Sequence, residues 1–167
     1  MITIIEGPDG LGKSTLCRVL SEWNGSLVYK ANSMRGLELS SAFMAGHDEG
    51  SLDMAILAGG EIILDRSFPS AIAYDYAFDR EPMSRELYDS LDSRAALHGV
   101  VGIMLLPLSS GHDVAVQRGV DDIPEWAWNR LVSGYNDYLE WSRMEWSVID
   151  GTAPFAEVLD AAKRRLS

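Results

Sequence analysis

Gly7-Pro8-Asp9-Gly10-Leu11-Gly12-Lys13-Ser14 satisfies the spacing G-x-x-x-x-G-K-[ST] and is followed by Thr15. Glycines so spaced let backbone N–H groups turn inward around phosphate oxygens, and a helix starting near Lys13 would aim its positive end at the same place. Lys13 then reaches the β- and γ-phosphates of a nucleotide, and Ser14 offers a hydroxyl to Mg²⁺. A second group is Asp65-Arg66-Ser67. An aspartate emerging beside a phosphate loop can hold Mg²⁺, directly or through water, or accept a substrate proton, and an arginine next to it can grip a phosphate.

These residues need elements to hold them in place. Residues 2–6 are a β-branched run closed by glycine, the pattern of a strand buried on both faces of a parallel sheet. Segments 26–30 (SLVYK), 61–65 (EIILD) and 100–106 (VVGIMLL) look alike, and 146–150 (WSVID) is a weaker fifth. Asp65 therefore falls at the carboxyl end of a strand, the edge at which open α/β sheets bind ligands. Helical spacing fills the intervals. Residues 13–23 set Leu16, Val19, Leu20 and Trp23 on one face, and 83–97 do so with Leu87, Leu91 and Ala95. Pro124 precedes a long helical segment, 125–145, in which Trp128, Leu131, Tyr135, Tyr138 and Leu139 recur. A last amphipathic helix, 156–166, ends in Lys163-Arg164-Arg165, which suits its dipole. Between 31 and 60 the pattern gives two short helical pieces, 37–45 and 52–58, separated by Gly46-His47-Asp48-Glu49-Gly50. Strands alternating with helices imply an α/β parallel sheet with right-handed crossovers.

Composition narrows the function classes. The chain has 167 residues, 47% of them hydrophobic, which suits one domain with an ordinary core. Fourteen Lys and Arg against 25 Asp and Glu leave a net charge of −11, which opposes sequence-independent binding to duplex nucleic acid. An anionic ligand must be held by a few local cations. The single cysteine, Cys17, allows no internal disulfide and is read as a small core residue in a reducing compartment. His47, His98 and His112 lack metal-ligand spacing. No apolar run approaches membrane-span length, and residues 1–5 have no basic lead, so a cytoplasmic protein is expected. Trp126, Trp128, Trp141 and Trp146 are read as packing residues.

Glu6-Gly7-Pro8-Asp9-Gly10-Leu11-Gly12-Lys13-Ser14-Thr15 resembles the E-G-x-D-G-x-G-K-[ST]-T start of thymidylate kinases. The segment Asp65-Arg66-Ser67-Phe68-Pro69-Ser70-Ala71-Ile72-Ala73-Tyr74 is similar to their D-R-Y-x-x-S-x-x-A-Y, and weaker echoes follow at Ala115-Val116-Gln117-Arg118, Asp122-Ile123-Pro124-Glu125, Tyr135 and Val148-Ile149-Asp150. The resemblance implies a phosphate-loop kinase fold: a three-layer sandwich with a five-stranded parallel sheet of order 2-3-1-4-5, helices on both faces, and a short lid at about 110–123. It implies transfer of the γ-phosphate of ATP, with Mg²⁺, to a deoxynucleoside monophosphate such as dTMP. It also implies a homodimer interface over part of the tryptophan-bearing surface. Carried across, Gly7, Gly10, Leu11, Gly12, Lys13, Ser14 and Thr15 bind the ATP phosphates, and Ser14 and Asp65 serve the metal. Asp9 binds the sugar 3′-hydroxyl, Arg66 the acceptor phosphate, Ser70 lies near the base, and Tyr74 packs against the sugar and disfavours a 2′-hydroxyl. Leu11 stands where one subgroup carries an arginine, so Arg118, bracketed by Gly111 and Gly119 in a short mobile lid rather than a packed helix, is the expected transition-state cation.

The departures bear on the substrate. Between Tyr29 and Glu61 the chain is much shorter than in that family, without its F-P-R segment or its A-D-R helix; Arg35, or Lys30 with Tyr29, is the candidate substitute. Ser67 replaces a tyrosine, Ala71 a polar residue, and Asp75 a glutamine. The Glu6-Gly7 start and Asp65-Arg66-Ser67 are also similar to deoxynucleoside kinases, in which Asp65 would act as base toward a 5′-hydroxyl. A kinase of a modified base in phage-like DNA and a non-enzymatic nucleotide switch complete the alternatives, the first opposed by the charge and the second by the lack of recognisable switch segments.

Overall fold

The computed structural model describes residues 1–30, 41–80, 85–108, 111–119 and 123–167, with the side chains of 41–45 left aside. Arg35 and residues 37–40 of the 37–45 pattern lie outside the described residues. Five strands, β1 (Ile2–Glu6), β2 (Leu27–Lys30), β3 (Ile62–Asp65), β4 (Val101–Leu106) and β5 (Glu145–Asp150), form one parallel sheet of order β2-β3-β1-β4-β5. This is the expected strand order.

The β-branched run of β1 is fully buried because it sits at the centre, paired with β3 (Ile5 opposite Asp65) and with β4 (Glu6 opposite Met104). The ends of β1 and β3 are thus neighbours, and the residues that follow them share one edge. β2 departs from the doubly buried pattern: all four of its residues are exposed, since it is an edge strand whose partner is β3, with Lys30 opposite Asp65.

Among the described residues, seven helices cover the sheet: α1 (Lys13–Asn24), α2 (Ser41–Ala58), α3 (Phe68–Ala77), α4 (Arg85–Leu97), α5 (Gly111–Gln117), α6 (Glu125–Trp141) and α7 (Phe155–Leu166). α1 packs with α7, and α3 packs along α6 and against α2 and α4. A side chain on Gly134 of α6 would come within 2.9 Å of the Ala73 backbone, so the two helices approach at small residues. Leu16, Cys17 and Leu20 carry α1 into the core, whereas Trp23 is 44% exposed and lies under the Lys163 ammonium.

Three more boundaries differ from the sequence reading. The polar Gly46–Gly50 stretch is helical, so 52–58 belongs to the longer α2, in which Asp48 and Ser51 are buried. α6 stops at Trp141, before 145, because Asp92 of α4 receives Tyr138 Oη (2.7 Å), Ser142 Oγ (2.5 Å) and the Arg143 N–H (2.6 Å), which turn the chain into β5. Patterning assigns no element to Phe68–Ala77. There the structure has α3, started by Ser67 with Pro69 in the first turn. Among the described residues no helix is long and apolar enough to cross a membrane.

Candidate active site

The phosphate loop begins where β1 ends. Gly7 has φ 134°, and a Cβ there would lie 2.1 Å from the Leu105 carbonyl oxygen, so the chain leaves the sheet edge in a way only glycine permits. Gly12, at φ 82°, caps α1 without a side-chain hydrogen bond, which leaves the first N–H groups of that helix available to an anion. Leu11 is buried and packs beneath Gly151, anchoring the middle of the loop to the sheet, while Ser14 and Thr15 face outward. Lys13 is only 5% exposed; its ammonium donates to the Pro8 carbonyl (2.6 Å) and stands 4.0 Å from Asp9 Oδ1. Burial, followed by the Arg66 charge, pulls Lys13 down to about 7, against the opposing pull of Asp9, Glu6 and Asp65.

Asp65 ends β3 and is 2% exposed. Its Oδ2 accepts the Ser14 hydroxyl at 2.7 Å, and its Oδ1 is buried with no hydrogen-bond partner among the described residues. A hydroxyl and a carboxylate with an open oxygen are the hard donors Mg²⁺ takes, so Ser14 and Asp65 fit that ion. When bound, it would neutralise phosphate charge at this end of the loop.

Arg66 is next in the chain, in the left-handed region at φ 75°, where a non-glycine residue costs on the order of 1 kcal/mol. Its N–H donates to Ile5 O (3.1 Å), and the turn sends the guanidinium back over the loop, onto Asp9 and to Ser70 Oγ (3.2 Å). Tyr74 donates its hydroxyl to the other oxygen of Asp9, and its ring centroid lies 5.6 Å from the guanidinium carbon. Burial opposes the charge on Arg66, but Tyr135, Tyr74, Asp9 and Glu6 more than offset it, so the guanidinium stays firmly protonated. Burial likewise pushes the Tyr74 hydroxyl above its ordinary value and keeps it a donor.

Glu6, which spacing alone did not single out, organises this cluster from below. It is completely buried and accepts the Ser67 N–H (2.6 Å), Ser70 Oγ (2.6 Å) and, more distantly, Tyr135 Oη (3.4 Å). Burial raises its carboxyl, while Arg66 and these hydrogen bonds act the other way. The available signal was an acidic residue closing an otherwise apolar β1. Such a residue is retained in a core only with partners.

Arg118 reaches the loop from the opposite side, donating to Gly10 O and Gly151 O, both at 3.1 Å. The segment before it is helical: α5 buries Gly111 and Ala115, and His112 stands edge-on to Trp128. The packed α5 corrects the expectation of a short segment with no packed helix. Residues 110 and 120–122 of the 110–123 region lie outside the described residues. Asp9, Lys13, Ser14, Asp65, Arg66, Ser70, Tyr74 and Arg118 are therefore gathered at one sheet edge around the phosphate loop.

No family model and no curated protein sequence matches the chain. Solved structures do match in fold. The YorR protein of Bacillus subtilis, in complex with phosphorylated GDP, superposes with a TM-score of 0.79 at 16% identity, over 99% of this chain and 95% of that one. The deoxyadenosine kinase of M. mycoides with bound dATP gives a TM-score of 0.72 at 18% identity, over 99% and 98%. The same kinase with bound dCTP gives 0.65 at 17% identity, again over 99% and 98%. The fold is that of the phosphate-loop nucleotide kinases.

Proposed function

We propose that this chain transfers the γ-phosphoryl group of ATP to a deoxynucleoside monophosphate: dTMP or a related pyrimidine nucleotide, modified bases included. The observation that carries this reading is Arg66, a partly buried, permanently charged guanidinium held by Asp9 and Ser70 beside the phosphate loop. A monophosphate supplies the anion such a clamp is built for, and a neutral nucleoside does not. An acceptor phosphate oxygen attacks the γ-phosphorus, the bond to the β,γ-bridging oxygen breaks, and ADP departs. Lys13 and the loop N–H groups meet the charge on the β- and γ-phosphates, Arg118 meets that on the transferring group, and Arg66 orients the acceptor. Because the acceptor oxygen is already anionic, no strong base is required. Asp9 and Tyr74, joined by their hydrogen bond, form the wall for a deoxyribose.

A second reading, phosphorylation of a nucleoside 5′-hydroxyl, is favoured by Asp65 Oδ1, which has no hydrogen-bond partner among the described residues and could act as a base, and by the fold likeness to a deoxyadenosine kinase. A coupled assay of deoxynucleosides, their monophosphates and an oligonucleotide with ATP and Mg²⁺ separates the readings. Turnover of a monophosphate and not of its nucleoside is expected. The reverse preference would replace this proposal with the second reading.

A further inference from the structure

Lys30 lies at the seat where Ser14 and Asp65 would hold Mg²⁺. It ends β2, directly across the register from Asp65, and its ammonium stands 3.2 Å from Ser14 Oγ and 3.9 Å from Asp65 Oδ2. The Ser14 hydroxyl and the Asp65 carboxylate, the groups that suit a divalent cation, therefore already have a cation of the chain beside them, at Ser14 Oγ and Asp65 Oδ2. The two ends of the contact differ sharply: the Asp65 side chain is 2% exposed, whereas that of Lys30 is 59% exposed, on an edge strand, with solvent to withdraw into. A buried carboxylate needs a counter-charge at all times. An ammonium and a divalent ion against the same oxygens repel one another, so the two take turns.

We infer that Lys30 is a positioning residue of the reacting centre, the exchangeable counter-ion of Asp65, which keeps that carboxylate neutralised and aimed at Ser14 until a divalent cation arriving with the nucleotide displaces it. The inference rests on the assignment of Ser14 and Asp65 to the metal. It makes metal and nucleotide bind together, because the free chain resists the metal alone and the nucleotide phosphates supply the charge that tips the exchange.

The test is Mn²⁺ binding followed by electron paramagnetic resonance, with and without a non-hydrolysable ATP analogue. Without nucleotide, Lys30→Met should bind Mn²⁺ about tenfold more tightly than the parent chain, as expected for removal of one nearby charge. Lys30→Arg should stay as weak as the parent, and adding Asp65→Asn to Lys30→Met should abolish the gain. A merely structural role for Lys30 would weaken or leave unchanged the metal affinity of Lys30→Met, and that result overturns the inference. If the nucleotide-loaded parent binds Mn²⁺ with no dependence on Asp65, the metal assignment itself falls. If that dependence is present while Lys30→Met shows no gain, only the role of Lys30 falls.

Discussion

The two sides of the site are built by different means. The donor side is one continuous stretch, Gly7 to Ser14, whose work is done by backbone: glycines in positive-φ conformations, helix N–H groups and a single lysine. The acceptor side is assembled from β1 (Glu6), the loop (Asp9), the end of β3 (Arg66), α3 (Ser70, Tyr74) and α6 (Tyr135), joined by side-chain hydrogen bonds across long chain separations. Backbone cradles recognise any polyphosphate, so the donor side is generic. A side-chain network can be re-aimed by single substitutions, so on the proposed function the choice of acceptor falls to it.

The sharpest break in the comparison is Lys13→Ala. It should reduce kcat/KM by roughly 10⁴-fold or more with every acceptor alike, because the lost charge acts on the transferring phosphate. The far-ultraviolet circular dichroism should be preserved, since among the described residues Lys13 bonds to groups of its own loop, Pro8 O and Asp9. An acceptor-dependent loss would place Lys13 on the other side of the comparison.

Arg118→Ala comes next. An arginine that contributes mainly in the transition state should cost roughly 10³-fold in kcat with nearly unchanged affinity for ATP and acceptor. In the free chain this residue joins Gly10 to Gly151. A kcat within a few-fold of the parent would reduce it to that structural tie.

The smallest effect is a pH dependence confined to the donor side. Burial holds Lys13 near 7 in the free chain, and a bound polyphosphate raises it again, so the protonated form is the one that binds. ATP affinity should therefore fall as pH rises above about 7, by at most about tenfold per unit, with proton uptake on binding. Calorimetry at about pH 8 in two buffers of different ionisation enthalpy measures that uptake. Equal heats would contradict it, and acceptor binding should show no such term from Lys13.

The same division explains what could be read from the sequence. The loop motif and the strands follow from local spacing, the strand order is what the family resemblance implies, and all appear in the structure. Asp65 and Arg66 could be placed at the ligand edge because β3 is a plain apolar run ending in them. What spacing missed depends on tertiary partners. Glu6 is tied to Ser67, Ser70 and Tyr135, none of them near it in sequence, and Lys30, offered by the sequence as an acceptor contact, is brought beside Asp65 by the register with β3. α3 went unassigned because Phe68–Ala77 is apolar on most sides, packed between α2, α4 and α6, and so has no amphipathic period to detect. Glycines and charges at 46–50 read as a turn that divides α2, whereas in the structure the helix continues through them with Asp48 and Ser51 buried.

The central claim is that Arg66 receives an anionic acceptor, and the direct measurement is paired: acceptor KM and kcat beside ATP affinity by calorimetry, for the parent and for Arg66→Ala and Arg66→Lys. Loss of a charge-assisted, two-pronged contact should raise the monophosphate KM by about 10²-fold in Arg66→Ala, with partial recovery in Arg66→Lys and ATP affinity unchanged within about twofold. If ATP affinity falls instead while acceptor KM holds, Arg66 belongs to the donor side and the account of the acceptor is wrong.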